Sequence, residues 1–163
     1  MMITVSNAGP IISLHRVGHL TLLPSLFGRA LIPEAVKREI RAGEPSEAID
    51  ADSLEWLQVR VSENETAISL LREQLDDGES EAIVLALDIK ADILLMDEAR
   101  GRRVAMSKDI SLMGTLGVLL LAKEERHIRA VRPILDELER KDFWISDELR
   151  SHVLAQASEL GSV

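Results

Sequence analysis

The sequence predicts an α/β fold with a short, mainly parallel sheet. Short apolar segments alternate along the chain with longer segments of helical periodicity, which is typical of βαβ units. At 163 residues, the chain is long enough for one domain with a substantial core. It contains no internal repeat, no low-complexity segment and no clear linker. We therefore expect a single domain over residues 1–163.

The predicted elements follow from apolar patterns and helix-start signals. Short apolar or alternating runs indicate strands at residues 3–6, 29–32, 56–61, 91–96 and 110–113. Helical periodicity and capping patterns predict helices at residues 10–17, 20–26, 33–42, 62–75, 79–89, 98–107, 115–126, 133–141 and 146–160. Residues 43–53 fit no pattern, and we interpret them as a mobile loop.

The composition excludes several classes of protein. There is no cysteine, which excludes disulfides and thiolate metal sites. Aromatic residues make up 2% and tyrosine is missing, which argues against an RNA-recognition sheet with aromatic stacking platforms. The net charge of −9 argues against a large surface that coats nucleic acid, although it is compatible with an acidic metal site.

Hydropathy gives an expectation about location. No apolar run approaches the roughly 20 residues that cross a bilayer. The start of the chain has no basic segment followed by a long apolar core, so a secretory signal is not indicated. We therefore expect a cytoplasmic protein without a membrane segment.

Polar residues follow two of the predicted strands directly. Asn7 comes after the first strand, and Asp97 comes after the apolar run at residues 93–96. In parallel sheets, ligands bind beyond the carboxyl ends of the strands. A single polar residue at such a position is also an ordinary turn residue, so both interpretations stay open.

Two glutamates lie on the apolar faces of predicted helices. Glu39 falls on the apolar face of the helix at residues 33–42, and Glu79 extends a buried stripe by one turn. A buried carboxylate needs a partner, either an arginine or a cation shared by several acids. Glu79 also suits the helix dipole as a first-turn acid. Glu81 lies on another side of the same helix, where we expect solvent, and it is the second choice.

Basic residues follow Asp97 closely. They are Arg100, Arg102, Arg103 and Lys108. A charged helix side is usually only a solvated face. Next to a metal site, the same residues would instead bind phosphate groups. The sequence alone does not choose between these interpretations.

A resemblance to a known family rests on five segments. In order, they are VSNAGPIISL, IPEAVKREI, DDGESEAIVLALDIKADILLMDEARGRRVA, GTLGVLLLAK and FWISDEL. Together they extend from Val5 to Leu149, and their order is more specific than any one segment. On these residues the chain resembles the PIN-domain family, ribonuclease-like proteins that include the VapC-type toxins. It is most similar to a prokaryotic PIN-like subfamily.

The resemblance implies a three-layer α/β/α sandwich and a carboxylate site for Mg²⁺ or Mn²⁺. It implies that RNA is the substrate, and it suggests a homodimer and a small antitoxin as partner. By position, it assigns catalysis and metal binding to Asn7, Glu39, Glu79 and Asp97. Supporting positions fall on Glu98 and Thr115, Ser6 lies beside the site by sequence, and Glu81 is the alternative to Glu79. The basic residues that would contact the RNA are Arg100, Arg102, Arg103 and Lys108.

Asn7 departs from the family pattern, which has an acid at this position. An asparagine carbonyl can ligate Mg²⁺ but brings no charge. One hypothesis is a metal-dependent ribonuclease, the toxin of a toxin–antitoxin pair, in which the cation supports attack on a phosphodiester. The other is a catalytically silent module that binds RNA or protein. A phosphoacceptor domain, loosely suggested by Thr115 and Lys123, would need paired acids after the first strand, where Ser6 and Asn7 stand.

Overall fold

The strands form one parallel sheet. In the computed structural model, which describes residues 2–161, the strands are β1 (Thr4–Ser6), β2 (Ala30–Ile32), β3 (Leu57–Val59), β4 (Ile93–Leu95) and β5 (Leu112–Met113). Their order across the sheet is β3-β2-β1-β4-β5. Each neighbouring pair is parallel. The predicted α/β class is confirmed, and the sheet is parallel throughout the described strands.

Helices connect the strands. They are α1 (Ala8–Arg16), α2 (Leu22–Phe27), α3 (Glu34–Arg41), α4 (Glu65–Leu71), α5 (Asp77–Asp88), α6 (Ala99–Ser107), α7 (Thr115–Glu124), α8 (Arg132–Arg140) and α9 (Asp147–Gln156). A short 3-10 helix, Ala51–Ser53, precedes β3. None of the helices within residues 2–161 is both long and apolar enough to cross a membrane.

The sheet separates two apolar cores, because successive side chains of a strand point to opposite faces. Leu94 packs with Val5 and with residues of α4, α5 and α6. Leu95, its neighbour in β4, packs with residues of α1, α2, α7 and α8 on the other face. The fold is therefore an α/β/α sandwich, as the family resemblance implies.

Three local expectations were wrong. The helix predicted at residues 79–89 begins two residues earlier, at Asp77, because the Asp76 side chain accepts a hydrogen bond from the Glu79 N–H. The helix predicted at residues 62–75 begins later, at Glu65, because Asn64 caps α4. The segment at residues 43–53 is not simply a loop, since it contains the 3-10 helix and the buried Ala51.

Candidate metal centre

The carboxyl ends of β1 and β4 meet at Asn7. The Asn7 backbone N–H donates to the Leu95 carbonyl over 2.8 Å. Asn7 begins α1 without a side-chain capping bond, and only 5% of its surface is exposed. Its Oδ1 atom is buried and accepts no hydrogen bond from any residue in the described range. An unpartnered buried amide oxygen is costly, so this atom is suited to a ligand.

Gly78 brings Glu39 next to this amide. A Cβ atom added at Gly78 would lie 3.0 Å from Glu39 Oε1 and 3.3 Å from Asn7 Oδ1. The two oxygens therefore face the same small space beside the first turn of α5. A side chain at position 78 would enter that space, which explains why glycine suits the position.

Glu79 is held beside the same turn by Asp76. Glu79 is buried, with 7% of its surface exposed, and its backbone N–H donates to Asp76 Oδ1 over 2.8 Å. Its side chain lies against Gly101 of α6, where an added Cβ would be 3.5 Å from the Glu79 carboxyl carbon. The cap and first turn of α5 thus bring the Asp76 and Glu79 carboxylates to the same cavity.

Like charges and burial raise the pKa of both glutamates. Burial is the main cause at Glu39, followed by the negative charges of Asp76 and Glu98. Burial also dominates at Glu79, followed by the negative charge of Asp76. A backbone hydrogen bond from Asp76 acts to lower the pKa of Glu79, and the charges of Glu98 and Glu39 add to its rise. The neighbouring carboxylates therefore oppose the ionisation of Glu39 and of Glu79, a condition that a bound cation would relieve.

Asp97 is clamped by the start of α7. Its Oδ1 accepts from the Thr115 backbone N–H over 2.7 Å, and its Oδ2 accepts from the Thr115 hydroxyl over 2.7 Å. Burial raises the pKa of Asp97 despite these bonds and despite the nearby positive charge of Arg102. A Cβ added at Gly114 would lie 2.8 Å from Asp97 Oδ1, so this close packing requires glycine.

Two adjoining cavities connect the acids with basic residues. A cavity of about 610 Å³ is lined by residues that include Asp76, Glu79 and Glu98. Arg100 and Arg103 line this cavity as well as a second one of about 430 Å³, which also includes Lys108. We call Arg100, Arg103 and Lys108 the basic groove. It opens directly onto the acidic side chains.

Arg102 does not belong to the basic groove. Its guanidinium donates to the Met96 carbonyl over 2.7 Å and lies next to Asp97. The expected basic side of α6 therefore holds for Arg100 and Arg103 and not for Arg102. The reason is the helical rotation between positions 102 and 103, which turns Arg102 toward the sheet.

Two glutamates lie in surroundings that differ from expectation. Glu39 was expected on the apolar face of α3, but it lies at the edge of that face, with much of its surface exposed and its carboxylate turned toward Gly78, where it is partly buried. Glu81 was expected in solvent, but it accepts from the Ala35 N–H over 3.2 Å and pairs with Arg72 over 3.3 Å. Glu81 thus joins α5 to the start of α3, the helix that carries Glu39, and stabilises that helix terminus.

Of the other predicted supporting residues, Glu98 lines the acidic cavity and Thr115 holds Asp97. Ser6 instead forms a hydrogen bond with the backbone. The buried Ser6 hydroxyl donates to the Asn7 carbonyl over 2.8 Å. Sequence reasoning missed Asp76 and Gly78. The signal was present, because an aspartate three residues before a glutamate at a helix start is a capping pattern.

The donor set fits a hard divalent cation. The site offers carboxylate and amide oxygens, the ligands that Mg²⁺ and Mn²⁺ prefer, and the buried Asn7 Oδ1 lacks any other partner among the described residues. No three histidine, cysteine or acidic side chains within residues 2–161 are arranged to hold an ion by themselves. Glu39 and Glu98 expose much of their surface, so their side chains are free to turn toward a cation.

Fold and site together define a class of protein. It consists of parallel α/β/α sandwiches that gather acidic side chains beyond the carboxyl ends of their strands. The sequence profile of a family described as a PIN domain matches residues 3–159. The chain therefore belongs to the PIN-domain family, a nuclease-type fold that generally uses divalent metal ions. Searches of curated proteins and of solved structures gave no significant match.

Proposed function

We propose that this protein is a metal-dependent endoribonuclease that hydrolyses RNA phosphodiester bonds. The observation that carries the proposal is the buried, unpartnered Asn7 carbonyl, which shares a small space with Glu39 beside the first turn of α5. Acids at the ends of parallel strands suit Mg²⁺ or Mn²⁺. The adjoining basic groove supplies the positive charge that an RNA substrate requires.

The residues have distinct roles in this proposal. Asn7, Glu39, Glu79 and Asp97 would hold the cation. When bound, the cation supplies Lewis-acid activation of water and of the scissile phosphate. Thr115 fixes the Asp97 carboxylate through both oxygens. Because this clamp limits rotation of Asp97, the carboxylate is preorganised for binding.

The basic groove would hold the RNA beside the reacting bond. Arg100 and Arg103 line the same cavity as Glu79 and Glu98, so phosphates bound there lie next to the acids. Charge-assisted hydrogen bonds from arginine position phosphates without reading sequence. The groove therefore orients the substrate backbone and draws a polyanion toward an otherwise acidic protein.

The second candidate is a catalytically silent PIN domain that binds RNA or protein. Asn7 favours it, because a neutral ligand removes one negative charge from the site. In that case the basic groove would still bind RNA, but no cation would be held tightly enough for catalysis. This alternative differs from the first only in metal affinity and cleavage, and both are measurable.

The biological setting we propose is a toxin–antitoxin pair in the cytoplasm. Support comes from the resemblance of the quoted segments to VapC-type toxins and from membership of the PIN-domain family. The toxin would act as a homodimer of one domain per chain, and a small antitoxin protein would inhibit it. Arrested growth on expression, relieved by the product of a neighbouring small reading frame, is the expected result.

A cleavage assay tests the activity. Wild type, Asp97→Ala and Asn7→Asp are incubated with an end-labelled single-stranded RNA in Mg²⁺, Mn²⁺ or EDTA. We expect wild type to cleave only with metal and Asp97→Ala to be slower by at least about tenfold. If wild type and Asp97→Ala behave alike while Asn7→Asp gains activity, the natural protein is the silent module.

A further inference from the structure

The candidate metal site holds less negative charge than the family pattern implies, because that pattern has an acid at position 7. Asn7 is neutral, and Asp97 is already engaged, since each of its oxygens accepts a hydrogen bond from Thr115. Arg102 also lies beside Asp97 and offsets its charge. Of the four residues assigned to the cation, only Glu39 and Glu79 bring a carboxylate whose charge no cationic side chain within residues 2–161 offsets. A divalent cation is held more tightly as the number of charged ligands rises.

Asp76 is a carboxylate in the right place to make up this deficit. It caps α5 through Oδ1, which accepts from the Glu79 N–H over 2.8 Å, and it lines the same cavity as Glu79. It stands two residues before Gly78, the glycine around which Asn7 Oδ1 and Glu39 Oε1 gather. Within residues 2–161, Asp76 Oδ2 makes no hydrogen bond or ion pair, so this atom is available to a ligand.

We propose that Asp76 is a further metal ligand that takes over the charge missing at position 7, so that Asp76 shares the cation with Glu39, Glu79, Asp97 and the Asn7 carbonyl. The inference rests on the proposed function only in requiring a cation at this site. The capping bond fixes the orientation of the Asp76 carboxylate and leaves Oδ2 free. One residue thus starts α5 and completes the charge of the site.

Asp77 provides a matched control. It is the next residue and also an aspartate in the first turn of α5, but it pairs with Arg72 over 3.0 Å and does not line the acidic cavity. Asp76→Asn keeps a side-chain oxygen that can still cap the helix while removing the charge. Asp76→Asn and Asp77→Asn therefore have the same net charge, but Asp76→Asn loses a charge inside the acidic cavity and Asp77→Asn loses one outside it.

The experiment is a titration with Mn²⁺ alone, followed by the electron paramagnetic resonance signal of the free ion. Wild type, Asp76→Asn, Asp77→Asn, Asn7→Asp and the double variant Asn7→Asp/Asp76→Asn are compared at one pH and ionic strength. Removing a ligand charge should weaken Mn²⁺ binding by at least about tenfold in Asp76→Asn. Asp77→Asn should stay within about twofold of wild type. The double variant should recover most of the lost affinity.

The outcomes separate the inference from the proposed function. Equal Mn²⁺ affinity of wild type and Asp76→Asn overturns the role of Asp76 and leaves the nuclease proposal standing. If the double variant Asn7→Asp/Asp76→Asn binds Mn²⁺ no more tightly than Asp76→Asn, a carboxylate at position 76 does not stand in for one at position 7, and that part of the inference is overturned. If wild type and Asn7→Asp both fail to bind Mn²⁺, the inference and the proposed metal chemistry fall together. Circular dichroism and thermal unfolding without metal verify that every variant is folded.

Discussion

At the scale of single residues, Asn7 is the position on which the proposed function depends. Its backbone joins β1 to β4, whereas its side-chain oxygen faces Glu39 without a partner in the described part of the chain. A buried polar atom without a partner is tolerated where it serves a function. The asparagine is therefore compatible with a ligand role, in which the neighbouring acids would supply the charge that it lacks.

Substituting Asn7 by aspartate should change stability in opposite directions with and without metal. Without metal, Asn7→Asp places another negative charge in a site that is 5% exposed, beside Glu39. We expect the free energy of unfolding to fall by about 1–3 kcal/mol. In saturating Mn²⁺, the loss should disappear or reverse, because the ion binds only the folded protein.

Thermal unfolding of Asn7→Asp at several Mn²⁺ concentrations measures this effect, with wild type in parallel. Asn64→Asp is the control, since Asn64 is an exposed capping residue of α4. Equal loss of stability with and without Mn²⁺ would contradict a metal site at Asn7.

The Thr115 hydroxyl should matter for both stability and cleavage. Thr115→Val preserves the size of the side chain but removes the donor to Asp97 Oδ2. We expect a loss of about 1–2 kcal/mol in the free energy of unfolding, together with slower RNA cleavage. Thr66→Val is the matched control, because Thr66 is exposed. Chemical denaturation and the cleavage assay measure the two effects, and unchanged cleavage would contradict the orienting role.

At the scale of elements, the start of α5 does the most to build the site. Its first turn contributes Glu79, its cap contributes Asp76, and Gly78 allows Asn7 and Glu39 to approach. Glu81, from the same helix, bonds to the start of α3. A single helix terminus thus positions carboxylates from two helices. A change that shortens α5 by one turn would separate them.

The end of the chain shows how a buried carboxylate stabilises the layer behind the site. Glu159 accepts from the Val131 and Arg132 backbone N–H groups over 2.7 and 3.0 Å at the start of α8. It also pairs with Lys123 of α7 over 3.1 Å. Burial acts to raise the pKa of Glu159, but these bonds outweigh it and the pKa is lowered.

The lowered pKa fixes the pH dependence of stability. The contribution of Glu159 is fully present above its unfolded value of about 4.5 and is lost as the pH falls through the lower folded value. At pH 7, Glu159→Gln should reduce the free energy of unfolding by about 2 kcal/mol, and the difference from wild type should shrink on acidification below pH 4.5. Urea unfolding at several pH values measures it, with the exposed Glu148→Gln as control. A difference that grows on acidification would contradict the assignment.

Much at the level of elements could be read from the sequence, for identifiable reasons. The strands before Asn7 and Asp97 are apolar runs that end in polar residues, so their carboxyl ends were predictable. The exposure of Glu39 was not predictable, because α3 has only eight residues and so short a pattern does not decide whether a residue at the edge of the apolar face is buried or exposed. Asp76 was missed because Asp-Asp-Gly is also a turn signal, and only the folded chain brings Gly78 to Asn7.

At the scale of the whole molecule, charge is unevenly distributed. The chain carries a net charge of −9, yet Arg100, Arg103 and Lys108 form a basic groove next to the acids. Long-range repulsion would oppose an approaching RNA, whereas the groove and a bound cation would attract it locally. RNA binding should therefore depend on a few arginines and on divalent metal.

A double variant of the groove tests this distribution. Arg100→Ala/Arg103→Ala should weaken RNA binding by at least about tenfold. It should also reduce the magnitude of the slope in a plot of the logarithm of the RNA-binding constant against the logarithm of the salt concentration, by about one or two. Arg129→Ala/Arg140→Ala is the control of equal charge, since both residues are exposed and lie outside the groove. Fluorescence anisotropy with labelled single-stranded RNA in Ca²⁺ gives both quantities. Equal losses in the two double variants would indicate a general charge effect and contradict a specific groove.

The most direct measurement of the central claim is a crystal structure of the protein soaked in Mn²⁺, with the ion located by its anomalous scattering. We expect one ordered ion beyond the carboxyl ends of β1 and β4, at about 2.1 Å from the Asn7 carbonyl and from oxygens of Glu39 and Glu79. An ion bound elsewhere, or a fully ordered site with no ion at saturating Mn²⁺, would contradict the claim that this pocket is a metal centre.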